Sequence, residues 1–145
     1  MPKKIPASIK RIVRSRAREY CEYCISPEGF STYNFSTDHI IPPGKGGTDD
    51  PENLALACQG CNGYKYDKTE AEDPVSGDLV PFFNPRKDSW SVHFYWSEDY
   101  TEIIGKTPSG RTTVDALKLN REKLINLRKG LFRLGEHPPV HLNEL

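Results

Sequence analysis

Asp38 and His39 stand side by side in the chain, Asn53 follows 14 residues after His39, and Asn62 nine residues after that. Two cysteine pairs bracket the set, Cys21 and Cys24 upstream and Cys58 and Cys61 immediately before Asn62. Imidazole is the side chain suited to taking a proton from water near neutral pH. Asp38 and Asn62 offer the hard oxygens that a divalent ion such as Mg²⁺ takes from a protein. Cleavage of a phosphodiester asks for both, a base for the attacking water and a cation for the charge that develops on the phosphate and the leaving oxygen. If residues 38 and 39 lie on a strand, their side chains point to opposite faces. One can then hold metal while the other approaches the scissile phosphate from the far side.

The cysteines carry a different chemistry. All four fall in C-x2-C pairs, with 33 residues between the pairs. Two intervening residues let both thiolates of a pair face one tetrahedral ion. Disulfides are disfavoured, because nothing in the chain suggests secretion. Redox use would want one pair beside a βαβ pattern, which is missing. The expectation is one structural zinc per chain, held by Cys21, Cys24, Cys58 and Cys61, with no open coordination position for catalysis. Such a site supplies on the order of 10 kcal/mol of folding free energy. A zinc deaminase is excluded: its His-x-Glu and Pro-C-x-x-C signatures fail at His39-Ile40-Ile41 and at Ala57-Cys58.

The elements that must position these groups follow from punctuation and period. Residues 8–19 read as an amphipathic helix with Ser8 as N-cap, Ile9, Ile12, Val13 and Ala17 on one face, and Lys or Arg elsewhere. Residues 25–35 are a loop. A strand is expected over 36–41, ended by Pro42. The Pro/Gly/Asp-rich run 42–53 admits neither helix nor strand. Leu54–Ala57 is a second strand, and a short helix runs from the second cysteine pair through Lys65 to about Asp67. Gly46 and Gly47 serve the loop backbone. Residues 67–81 read as a polar connector. Residues 90–96 and 100–104 suggest a β-hairpin, with Trp90, Phe94 and Trp96 in a second small core. Helices are expected over 109–119 and 121–134, the second with Asn120 as N-cap, Leu124, Leu127, Leu131 and Leu134 on its apolar face, and Gly135 as its stop. The last ten residues read as a loosely held tail. The resulting division is a basic N-terminal helix (1–20), a core (21–67), an extension (68–135) and a tail (136–145).

The 145 residues are 36% hydrophobic and 28% charged, a polar composition that suits a small domain relying on a metal staple. No apolar run approaches the length of a membrane span. The start Met-Pro-Lys-Lys-Ile-Pro has charge without an apolar stretch, so no signal peptide is expected and the cytoplasm is the default location. Net charge is zero, but it is unevenly spread. Residues 1–20 hold seven Lys/Arg against one Glu, and residues 111–133 seven against two acids; residues 38–102 hold five against thirteen. Basic flanks can neutralise phosphates, and an acidic centre can hold a cation; the same charges also suit ordinary solvated helix faces. Arg11, Arg14, Arg16 and Arg18 are candidate DNA contacts as a set. Lys65 is either a phosphate contact or a solvated helix residue. His93 reads as structural, and His137 and His141 receive no role.

The joint pattern Cys21-Glu-Tyr-Cys24, Asp38-His-Ile-Ile-Pro42, Gly46-Gly47, Glu52-Asn-Leu-Ala-Leu-Ala-Cys58 and Cys61-Asn62-x-x-Lys65 resembles the HNH endonucleases. More narrowly it resembles their four-cysteine branch with the ββα-metal (His-Me finger) fold. The resemblance spans about residues 10–66, with the three named family positions on His39, Asn53 and Asn62. It implies an α+β protein: a ββα-metal core stapled by a four-cysteine zinc site, with a basic N-terminal helix and a C-terminal hairpin plus two helices. It further implies a metal-dependent DNA endonuclease. His39 would be the general base, Asp38 and Asn62 the ligands of one catalytic Mg²⁺ or Mn²⁺, and Asn53 would brace the loop and itself orient the His39 ring. The products would carry 5′-phosphate and 3′-hydroxyl ends. Asn rather than His at the third position favours a hard ion. The competing reading is a zinc-ribbon-like nucleic-acid-binding module without catalysis, in which the Asp38, His39 and Asn62 set is incidental. The oligomeric state is not legible in the chain.

Overall fold

Two short strands, β1 (Ser36–His39) and β2 (Leu54–Ala57), pair antiparallel and are followed directly by helix α2 (Gln59–Lys65). The register sets Asp38 opposite Ala55 and His39 opposite Leu54. The computed structural model describes residues 4–144. Its chain forms two compact units, one ending at Lys68 and the other beginning at Thr69. The architecture is mixed α and β with small antiparallel strand pairs, as expected.

In the first unit, helix α1 (Ala7–Arg16) starts after Pro6, not at Ser8, and stops three residues short of the expected end. Arg18 and Glu19 have left-handed φ values of 53° and 61°, which no helix accommodates. Of the expected apolar face, Val13 and Ala17 are buried while Ile12 is half exposed. All four residues of β2 are buried, so its run of Leu and Ala reflects a strand covered on both faces. Strand β1 is shorter than expected, because the loop takes over at Ile40. Within that loop, Pro43–Lys45 and Pro51–Asn53 form single 3₁₀ turns, each opened by proline at a position where its missing N–H costs nothing. Gly46 sits at φ 87°, and a Cβ on Gly47 would meet the Ile41 carbonyl oxygen at 1.7 Å. Only glycine serves at either position.

The second unit departs further from expectation. The connector contains a hairpin, β3 (Glu70–Glu72) against β4 (Leu79–Pro81). The expected strand at 90–96 is split: Trp90–His93 form a helical turn, α3, and only β5 (Phe94–Trp96) pairs, with β6 (Ile103–Gly105). Trp90, Phe94 and Trp96 do pack together, with ring centroids 5.3 and 5.5 Å apart. Thr107 caps α4 (Pro108–Ala116). Helix α5 (Glu122–Arg133) begins after Arg121, because the Asn120 side chain is spent on the backbone N–H and C=O of Ile103. Leu124 and Leu131 of α5 are buried, but Leu134 is exposed, and Arg128 lies inside instead. Its guanidinium donates to the carbonyls of Thr101 and Leu119 and sits over the Trp96 ring. The tail is not loose: His137 and Leu142 are buried, and the His137 ring stands edge-on to Trp96. Among the described residues no helix is long and apolar enough to cross a membrane.

Candidate active site

The cysteine frame is assembled from two matching turns. Cys24 N–H donates to Cys21 Sγ and Cys61 N–H to Cys58 Sγ, each at 3.4 Å. The four buried sulfurs lie within 4.8 Å of one another, and those of Cys24 and Cys58 are 3.6 Å apart. Zn–S bonds of about 2.3 Å on a tetrahedron separate sulfurs by roughly 3.8 Å, so the cluster has the size a zinc ion requires. No disulfide competes for these thiols. Burial pushes the Cys21 thiol up, whereas the surrounding thiols of Cys21, Cys24 and Cys61 hold Cys58 down.

From this frame the chain reaches the site through Tyr23. The Tyr23 ring, inside the first knuckle, is buried, and its hydroxyl donates to Asp38 Oδ2 at 2.8 Å. Asp38 is itself only 4% exposed. Its second partner is Lys65, 2% exposed, whose ammonium lies 3.3 Å from Oδ1 and 3.2 Å from Oδ2 and donates to the His39 carbonyl at 2.9 Å. Burial raises the Asp38 carboxyl above its ordinary range, and the nearby charge of Lys65 and the Tyr23 hydroxyl oppose that rise. Lys65 is therefore neither a phosphate contact nor a solvated helix residue; it neutralises a buried carboxylate.

His39, the next residue on β1, is partly exposed. Its Nε2 is 2.7 Å from Asp49 Oδ1. Asn53 does not touch the ring. Its side chain accepts from Ile41 N–H at 3.0 Å and donates to the carbonyls of Ile41 and Thr48 at 2.9 and 2.8 Å. These bonds tie the loop together and none reaches the ring that Asn53 was expected to orient; the group hydrogen-bonded to the imidazole is Asp49. Asp38, His39 and Asn62 line one cleft of about 410 Å³, together with Thr37, Pro42, Pro43, Tyr66 and Asp67. Asp38, Asn62 and Asp67 are the oxygen donors there that suit a hard divalent ion. Tyr23 and Lys65 leave lone pairs on Asp38, since a carboxylate offers about four acceptor sites.

The arginine set divides. Arg14 forms a two-pronged pair with Glu28 at 2.8 and 2.9 Å. Arg16 donates to the carbonyls of Pro51 and Leu54, tying α1 to the entrance of β2. These two hold the fold together, while Arg11 and Arg18 are exposed. Tyr23, Asp49 and Asp67 escaped the sequence reading. For Tyr23 the signal was a large aromatic between two metal-type cysteines, and for Asp49 a carboxylate in the loop that follows His39.

Residues 21–68 match the family model described as HNH endonuclease. No curated protein and no solved structure matches the chain.

Proposed function

We propose, from the match of residues 21–68 to the HNH endonuclease model, that the chain hydrolyses phosphodiester bonds in DNA with His39 as general base and one divalent ion. The observation that carries the reading is the convergence of Asp38, His39 and Asn62 on one cleft beside the four-cysteine cluster. His39 takes the proton of the attacking water and holds it on the ring. Asp38 and Asn62, which line the cleft with Asp67, would hold Mg²⁺ or Mn²⁺. The ion, when bound, supplies charge stabilisation to the phosphate and the leaving oxygen. Asn53 keeps the loop over the site closed. Zinc on Cys21, Cys24, Cys58 and Cys61 stays structural, because four thiolates leave no open position. Among the candidate basic residues, Arg11 and Arg18 are exposed, which supports a phosphate-contact role for them in this reading.

The test is incubation of the zinc-loaded protein with supercoiled plasmid, with and without Mg²⁺. Cation-dependent relaxation or linearisation is expected. A protein that binds DNA but leaves the plasmid intact in Mg²⁺ and in Mn²⁺ overturns the reading in favour of a binding module.

A further inference from the structure

We propose that Asp49 is the positioning residue of His39, fixing both its ring orientation and the nitrogen that carries the proton; the inference rests on the nuclease reading above. The carboxylate of Asp49 lies 2.7 Å from His39 Nε2. A carboxylate only accepts, so a neutral imidazole in this contact must carry its hydrogen on Nε2. That leaves Nδ1 as the nitrogen with a lone pair. A base that spends half its time as the other tautomer, or rotating, is in the wrong state for proton abstraction. His39 is partly exposed on a four-residue strand, and burial alone does not hold its ring.

The loop is constructed to deliver Asp49 to this place. Thr48, its neighbour, is held through its carbonyl by Asn53 Nδ2 at 2.8 Å. The same Asn53 amide grips Ile41 on both its N–H and its C=O, at the other end of the loop. Gly47 N–H donates to the Pro42 carbonyl at 3.0 Å. Any side chain at 47 would collide with the Ile41 carbonyl and, at 2.9 Å, with Asn53 Nδ2. Asn53 therefore acts on His39 at one remove: it closes the loop, the loop carries Asp49, and Asp49 holds the imidazole. An ordinary surface ion pair would need no such closure and would contribute little.

The experiment compares wild type with Asp49→Ala and Asp49→Asn, all zinc-loaded. The ring ¹⁵N spectrum at one neutral pH, with histidine labelled and the His39 signals identified by their loss in His39→Ala, reports the tautomer without DNA or catalytic metal. Plasmid cleavage is followed in parallel as kcat and KM. Wild type is expected to show the Nε2–H form, and Asp49→Ala a mixture of the two. Asp49→Ala should lose about 10- to 100-fold in kcat, a part of what a general base contributes, with KM nearly unchanged. Asp49→Asn, which keeps a neutral acceptor, should fall between. A wild-type ring protonated on Nδ1, or an Asp49→Ala variant that keeps both the wild-type tautomer and kcat, overturns the proposal. So does a loss seen only in KM or in the folded fraction. Wild type that cuts no DNA overturns the nuclease reading by itself, whatever the ring spectrum shows.

Discussion

Tyr23 donates its hydroxyl to Asp38 Oδ2 at 2.8 Å, so a residue of the first cysteine knuckle holds the carboxylate at the floor of the cleft. The contact links the metal-type frame to the site through one buried side chain. Tyr23→Phe keeps the ring and removes the donor. It should cost about 2 kcal/mol of stability, the scale of a hydrogen bond to a charged group. Denaturant midpoints with zinc content held equal would show this; an unchanged midpoint would mean that the hydroxyl contributes nothing.

Lys65 and Asp38 should be strongly coupled. Lys65→Met leaves a carboxylate buried without its cation and should cost about 3–5 kcal/mol, as breaking a buried pair does. Asp38→Asn with Lys65→Met should cost well below the sum of the singles, because neither charge is then stranded. Additive losses in the double-mutant cycle would show that the pair is not a unit.

His39→Ala should abolish plasmid cleavage, at least about 100-fold, with folding and DNA affinity retained. Asp38→Ala and Asn62→Ala weaken the divalent site instead, so raised Mg²⁺ or Mn²⁺ should recover part of the activity per folded molecule, the folded fraction of Asp38→Ala being lowered by the stranded Lys65 charge. Metal should recover none in His39→Ala, because no concentration of cation replaces a proton acceptor. Equal rescue of all three variants would contradict the separate roles.

Elemental analysis should find about one zinc per chain, and Cys58→Ser should lose it. The unit up to Lys68 has few large apolar groups inside, so zinc loss should unfold it. Circular dichroism of the chelated protein checks this: retained native structure would rule out a structural role for the ion.

The second unit should show its own acid sensitivity. Arg111 holds the buried Asp73 carboxyl well below the ordinary carboxylate range, assisted by Val75 N–H and the Ser76 hydroxyl. A depressed folded pKa contributes stability above the unfolded value of about 3.9, and that contribution is lost as pH falls through the folded value. Both tryptophans, Trp90 and Trp96, lie in this unit, so their fluorescence reports its unfolding. The urea midpoint should fall steeply below about pH 4 in wild type, and less steeply in Arg111→Gln. Identical slopes would remove the pair from the account.

What the amino-acid order determined by itself was local. C-x2-C spacing sets two thiolates on one turn whatever surrounds them, and the sulfurs do cluster. The dense breakers of 42–53 bound two strands without tertiary help, and β2 emerged at its expected residues. The order also placed Asp38 and His39 next to each other on β1, and both line the same cleft.

Only the tertiary structure decided the partners. Tyr23 meets Asp38 15 residues away, Lys65 meets it at 27, and Asp49 meets His39 at 10. None of these separations is a helical or strand repeat. Arg14 and Arg16 carry the same pattern as any solvated helix arginine, and acquire carboxylate and carbonyl partners only when the chain folds back. The three-residue strands of the second unit are too short for a period to show, and Arg111 and Asn120 reach Asp73 beside β3 and Ile103 of β6 from distant sequence. A sequence names the groups that can react and the turns that local sterics enforce. Which carboxylate faces the imidazole, and which ammonium neutralises the buried aspartate, depends on long-range packing that no single window of the chain contains.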